Sequence, residues 1–172
     1  MNENFLRQRV KTYDDFPLKG VSFKDLLPIL SEPEMTSFLI DRMSELSINK
    51  KSDAVLAVDA RGFIFGSMIA MKLSKPLVVA RKPGKLPGEL ISKDYDLEYG
   101  NNSLSIQKNS IRKFNSFVIV DDILATGGTV KCISELLISE NKEITGLNVV
   151  AELKGLDGRS RLDFPVESQL IF

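Results

Sequence analysis

The chain has 172 residues, with 23 basic and 23 acidic side chains and no histidine. That length suffices for one domain with a real core, and a formal net charge of zero excludes a nucleic-acid binder that works through bulk charge. The missing histidine excludes Ser-His-Asp and Cys-His catalysis and histidine-ligated zinc or iron, so acid–base work falls to Asp, Glu, Lys or Tyr.

No apolar run reaches the length of a membrane span. The opening Met1-Asn2-Glu3-Asn4-Phe5 lacks the basic-then-apolar pattern of a signal peptide. One cysteine, Cys132, permits no internal disulfide, and a reducing, cytoplasmic setting is expected. It falls in a helical pattern, where packing is the expectation rather than chemistry.

Residues 1–12 carry Phe5, Leu6 and Val10 at near-helical spacing, which predicts a short leading helix. In residues 15–28, Pro17, Gly20 and Pro28 punctuate an irregular segment. Its Phe16 and Phe23 need something to pack on. Ser31, Pro33 and Glu34 read as a helix start with Ser31 as the cap. Met35, Phe38, Leu39, Met43 and Leu46 then form an apolar stripe of helical period, which is core.

Residues 55–58 predict a strand buried on both faces, ending in Asp59-Ala60-Arg61-Gly62. The C-terminal end of a parallel strand is where open α/β sheets place ligands. The plainer alternative is that Asp59 and Arg61 cap the next helix or pair together. Residues 76–80 are a third strand and run into Arg81-Lys82-Pro83-Gly84-Lys85-Leu86-Pro87-Gly88-Glu89. Prolines and glycines keep that backbone out of helix and sheet, so the cations ride on a loop. It is either a solvated basic loop or a clamp for phosphates. Residues 95–99 and 103–107 alternate around Gly100-Asn101-Asn102, which predicts a hairpin turning there.

The most informative stretch is residues 117–129. Phe117-Val118-Ile119-Val120 reads as a buried strand ending in the carboxylates of Asp121 and Asp122. Ala125-Thr126-Gly127-Gly128-Thr129 follows as a turn of small residues, and Val130, Ile133 and Leu137 start a helical pattern. Bare backbone N–H groups at a helix N-terminus, with the macrodipole, make a phosphate cradle. The carboxylates upstream suit ribose hydroxyls or a magnesium ion shared with a phosphate. A sugar phosphate satisfies both halves. Residues 147–151 are a further strand, and residues 164–168 with the apolar end fit a last edge strand. Strands alternating with helices give an α/β fold, a parallel sheet flanked by helices. Residues 1–172 read as one domain without repeat or linker.

Val120-Asp121-Asp122-Ile123-Leu124-Ala125-Thr126-Gly127-Gly128-Thr129 resembles the phosphoribosyl pyrophosphate signature of the type I phosphoribosyltransferase family. Three further blocks, the 15–28 segment, the Asp59-Ala60-Arg61-Gly62 turn and the basic 81–89 loop, occur in the family's order, so the resemblance spans residues 14–168. The basic loop resembles the adenine-specific branch. The resemblance implies that Asp121 and Asp122 take the ribose and that Ala125, Thr126, Gly127, Gly128 and Thr129 take the 5′-phosphate. It implies a pyrophosphate site at Asp59, Ala60, Arg61, Arg81, Lys82 and Lys85, with a cis peptide at Asp59–Ala60. Adenine would meet Ser22, through its main chain, together with Arg61 and Leu153. Glu98, Arg61 and Lys85 are the implied catalytic residues. Residues 1–30 would form an N-terminal arm or hood, and the hairpin a flexible flap. The implied reaction is adenine plus phosphoribosyl pyrophosphate giving AMP and pyrophosphate, with Mg²⁺ held through substrate near Asp121 and Asp122, in a homodimer. Two alternatives stay open: another purine base as substrate, or a non-catalytic regulator that senses phosphoribosyl pyrophosphate.

Overall fold

The computed structural model describes residues 2–97 and 100–172. In chain order the elements are α1 (Glu3–Arg9), β1 (Lys11–Asp14), β2 (Ser22–Asp25), α2 (Leu27–Leu30), α3 (Pro33–Ser44), α4 (Ser47–Lys51), β3 (Ala54–Val58), α5 (Gly62–Lys72), β4 (Leu77–Arg81), β5 (Leu90–Leu97), β6 (Gly100–Gln107), α6 (Lys108–Ile111), β7 (Ser116–Leu124), α7 (Gly128–Ser139), β8 (Glu143–Glu152) and β9 (Val166–Ile171). Two 3-10 turns, Lys154–Leu156 and Gly158–Arg161, lie between β8 and β9.

Among the described residues the main sheet runs β5-β6-β4-β3-β7-β8-β9. β4, β3, β7, β8 and β9 are parallel, and β6 joins β4 antiparallel with β5 outside it. The centre of the sheet is buried on both faces because all of β3 and residues 117–120 of β7 are apolar. In β3, Ala54, Leu56 and Val58 face one core with Phe117 and Ile119 of β7 and Val130, Ile133 and Leu137 of α7. Val55, Val118 and Val120 face the other, with Leu39 and Met43 of α3 and Phe65 and Ile69 of α5. The two-residue strand period is what sends neighbours to opposite layers. Cys132 is buried in the first core, and burial pushes its thiol up to about 11.

Four expectations need correction. The 15–28 segment is less irregular than its prolines suggest: β1 and β2 pair antiparallel, Lys11 opposite Asp25, around a cis Phe16–Pro17 bond. Ser31 does not cap α3; it closes α2, and Glu32 precedes Pro33 at the start of α3 without a side-chain cap. The strand carrying the acidic pair runs on to Leu124, so Asp121 and Asp122 sit inside β7 rather than beyond it. The ladder to β8 continues through them, with Asp121 opposite Val149 and Leu124 opposite Glu152. Lastly, residues 100–102 lie in β6, paired to residues 95–97, because the ladder extends past the Gly-Asn-Asn turn signal.

The N-terminal segment is tied down at several points. Leu6 of α1 is fully buried. Arg9 donates twice to Glu32, at 2.6 and 3.0 Å, and Arg7 donates to the Ile171 carbonyl at 3.0 Å. These contacts hold the β1–β2 hairpin beside the C-terminal ends of the parallel strands.

Candidate active site

β3 ends at Val58, and the register sets Ala57 opposite Val120 of β7 and Val58 opposite Ala80 of β4. Asp59, just past β3, Arg81, the last residue of β4, and Asp121, within β7, therefore stand on three adjacent strands within one residue of the same level. The sheet brings together groups that are 22 to 62 residues apart in the chain. Arg81 Nε lies 3.1 Å from Asp59 Oδ2, and its guanidinium stacks over Phe63 at 5.6 Å. The Asp59–Ala60 peptide is cis, as the resemblance implied.

The acidic pair is held tightly. The Asp122 N–H donates to Asp121 Oδ1 at 2.8 Å, and Arg61 Nε stands 2.7 Å from Asp122 Oδ2. Asp122 is only 6% exposed, so its charge needs that guanidinium. Burial, and then the neighbouring Asp122 carboxylate, push Asp121 well above the ordinary aspartate range. Gly62 permits this arrangement: a Cβ there would sit 2.9 Å from Asp121 Oδ1 and from the Val120 carbonyl oxygen. The start of α5 can thus rest directly on the end of β7.

Beyond Leu124 the chain turns through residues 125–127 into α7. Gly127 has φ +80° and no side-chain cap precedes the helix. Asp121, Leu124, Ala125, Thr126, Gly127, Gly128 and Thr129 are among the residues that enclose a cavity of about 70 Å³. That is the room of two or three waters, the scale of one phosphate group. The twelve-residue helix behind it points its positive end at the cavity.

A second cavity, about 420 Å³, is lined by Tyr13, Phe16, Phe23, Asp25, Leu27 and Arg61. Phe16 and Phe23 meet edge to face at 5.2 Å. Arg61 stacks its guanidinium on Phe23 at 5.1 Å while keeping its ion pair to Asp122. This answers what the two aromatics pack on: each other and Arg61. The sequence singled out Phe16 and Phe23 only as loop anchors and missed Tyr13 and Leu27. These four large apolar residues, all within positions 13–27 in a segment broken by Pro17 and Gly20, were the available signal.

Not every expected residue converges. Ser22, expected to act through its main chain, lies next to Phe23 at the aromatic cavity, and its exposed hydroxyl donates to Asp14 at 3.0 Å. Leu153 is half-buried at the end of β8, its N–H on the Leu124 carbonyl at 2.9 Å, and is not among the residues lining the aromatic cavity. Lys82 and Lys85 are exposed on their loop; the loop is anchored by Arg81, which donates to the Lys85 carbonyl at 3.3 Å. Glu98 lies outside the described residues.

A phosphoribosyl transferase domain model matches residues 31–168. An adenine phosphoribosyltransferase of Prochlorococcus marinus strain MIT 9211 is 59% identical over 172 residues, spanning all of both chains. The chain belongs to the adenine phosphoribosyltransferase family. The family member solved from Thermoanaerobacter pseudethanolicus superposes with a TM-score of 0.94 at 37% identity, covering 99% of this chain and 100% of its own. The Saccharomyces cerevisiae adenine phosphoribosyltransferase, solved with an imino-altritol bisphosphate and adenine, gives 0.90 at 37% identity over 98% of each chain.

Proposed function

We infer that the chain transfers the 5-phosphoribosyl group of phosphoribosyl pyrophosphate to adenine, releasing AMP and pyrophosphate. One observation carries the reading. Arg61 joins the acidic pair to the aromatic cavity, 2.7 Å from Asp122 on one side and stacked on Phe23 on the other. A base seated among the aromatics would then lie beside a sugar held at Asp121 and Asp122, as a nucleotide requires.

The mechanism follows from where charge develops. The bond from ribose C1 to pyrophosphate breaks, the bond from C1 to adenine N9 forms, and the N9 proton leaves. The ribose ring becomes cationic while pyrophosphate gains charge. Asp121 and Asp122 accept hydrogen bonds from the ribose hydroxyls, and the Asp122 carboxylate, paired with Arg61, places negative charge near the ring. The 125–129 loop holds the 5′-phosphate through backbone N–H groups. Arg81, Lys82, Lys85 and the Asp59–Ala60 turn receive pyrophosphate. Glu98 serves the base, and the β5–β6 hairpin with the arm excludes water that would capture the sugar.

The donor set fits Mg²⁺ shared with substrate. Among the described residues no three acidic, histidine or cysteine groups converge. Mg²⁺ commonly takes only one or two carboxylates and completes its shell with phosphate oxygens and water, so it would be held through the substrate, near Asp121 and Asp122. Bound there, it would neutralise charge on the pyrophosphate. A homodimer in the cytoplasm completes the reading.

Turnover with phosphoribosyl pyrophosphate and Mg²⁺ against adenine, hypoxanthine, guanine and xanthine tests it. AMP formation from adenine is expected to dominate. Preference for another base would move the substrate assignment, and nucleic-acid binding without turnover would favour a regulator.

A further inference from the structure

The 5′-phosphate loop rests on a second piece of chain that lies outside the cavity. The 3-10 turn Gly158–Arg161 lies against it. A Cβ on Gly127 would come within 2.6 Å of the Gly158 carbonyl oxygen, and one on Gly158 would meet the Ala125 carbonyl oxygen and stand 2.9 Å from the Gly127 nitrogen. Backbone therefore packs on backbone, and the loop cannot move unless this turn moves.

The turn in turn is pinned by one side chain. Arg159 Nε and Nη2 donate to Glu152 Oε1 and Oε2 at 3.0 and 2.5 Å, and Nη1 donates to the Val166 carbonyl at 2.7 Å. Glu152 is 6% exposed and also accepts from Ser168 at 3.2 Å. It ends β8 directly opposite Leu124, the last residue before the loop. The planar fork fixes both distance and direction, which a lysine ammonium would not.

We propose that Arg159, clamped on Glu152, is a positioning residue that holds the 5′-phosphate loop in its binding shape. Arg159 acts through Gly158 and touches no substrate. Its loss is therefore felt at the phosphate end of the ligand and not at the base. The proposal rests on the reading of residues 121–129 as the ribose 5-phosphate site.

Calorimetric binding of AMP and of adenosine, which lacks the phosphate, tests both layers. In the wild type AMP should bind far more tightly than adenosine; equal affinities would overturn the phosphate site itself and this proposal with it. In Arg159→Ala, AMP affinity should fall about tenfold or more, with adenosine affinity unchanged and Arg159→Lys intermediate. Should Arg159→Ala fail to fold, Arg159→Lys is read by the same ratio. A folded variant that keeps wild-type AMP affinity, or that loses AMP and adenosine affinity alike, would overturn the positioning role.

Discussion

Gly127→Ala puts the phosphate-site geometry under the most direct strain. Gly127 has φ +80°, where a side chain costs about 1–2 kcal/mol. The new Cβ would stand 2.6 Å from the Gly158 carbonyl oxygen, whereas ordinary contact begins at 3.4 Å, so one backbone must retreat by about 0.8 Å. Overpacking of that kind costs roughly 1–3 kcal/mol. The two together give a destabilisation of about 2–5 kcal/mol, against a typical total of about 5–15 kcal/mol. The variant should therefore fold, with a clearly lower midpoint in urea. The same retreat displaces the amides of the 125–129 loop, and a misplacement near 1 Å can cost about 100-fold in rate. Steady-state kinetics with adenine saturating should show the loss in kcat/KM for phosphoribosyl pyrophosphate. A variant with wild-type stability and wild-type kcat/KM would refute the claim that this loop is pressed against Gly158 and holds the phosphate.

Asp122→Asn should keep the fold, because the amide is isosteric, yet lower kcat/KM by about 100-fold or more through loss of the charge facing the ribose; assay and circular dichroism on one preparation check both. Phe23→Ala should raise the KM for adenine by about 5- to 150-fold, the worth of one base–aromatic stack, while the KM for phosphoribosyl pyrophosphate stays near wild type. Hydrogen bonds from Arg159, helped by Ser168, hold the Glu152 carboxyl below its ordinary range. The folded state thus gains stability that is fully present above the unfolded glutamate pKa of about 4.3 and is lost as pH falls through the lower folded value. With Arg159 half-exposed, that contribution is discounted to about 1 kcal/mol, or about 2–4 °C in Tm. Thermal melts across acid pH should show this step in wild type and not in Glu152→Gln; identical profiles would contradict the pair.

The centre of the parallel sheet was legible because residues 55–58 of β3 and 117–120 of β7 are uninterrupted apolar runs. Phe117, Val118, Ile119 and Val120 admit no face for solvent, and the acidic pair with its turn of small residues carries a chemical use at each step. The helix behind the loop was legible from Val130, Ile133 and Leu137, all buried in one core. What escaped was decided by tertiary contact. The Gly100-Asn101-Asn102 signal is a strong local turn former, yet eight paired positions of β5 and β6 outweigh it. Ser31 has the chemistry of a cap, but the chain places it at the end of a preceding helical turn. Phe23 reads as an anchor because nothing in its neighbours reveals Arg61, 38 residues on, as its stacking partner. Gly158 and Arg159 lie some thirty residues beyond the phosphate loop, and only the register of β7 against β8 brings them to it.

Diffraction from crystals soaked with AMP tests the central claim most directly. The phosphate is expected against the amides of residues 125–129, the ribose hydroxyls at Asp121 and Asp122, and the adenine in the cavity lined by Phe16, Phe23 and Arg61. A phosphate lodged elsewhere, with that turn bare, would contradict the account.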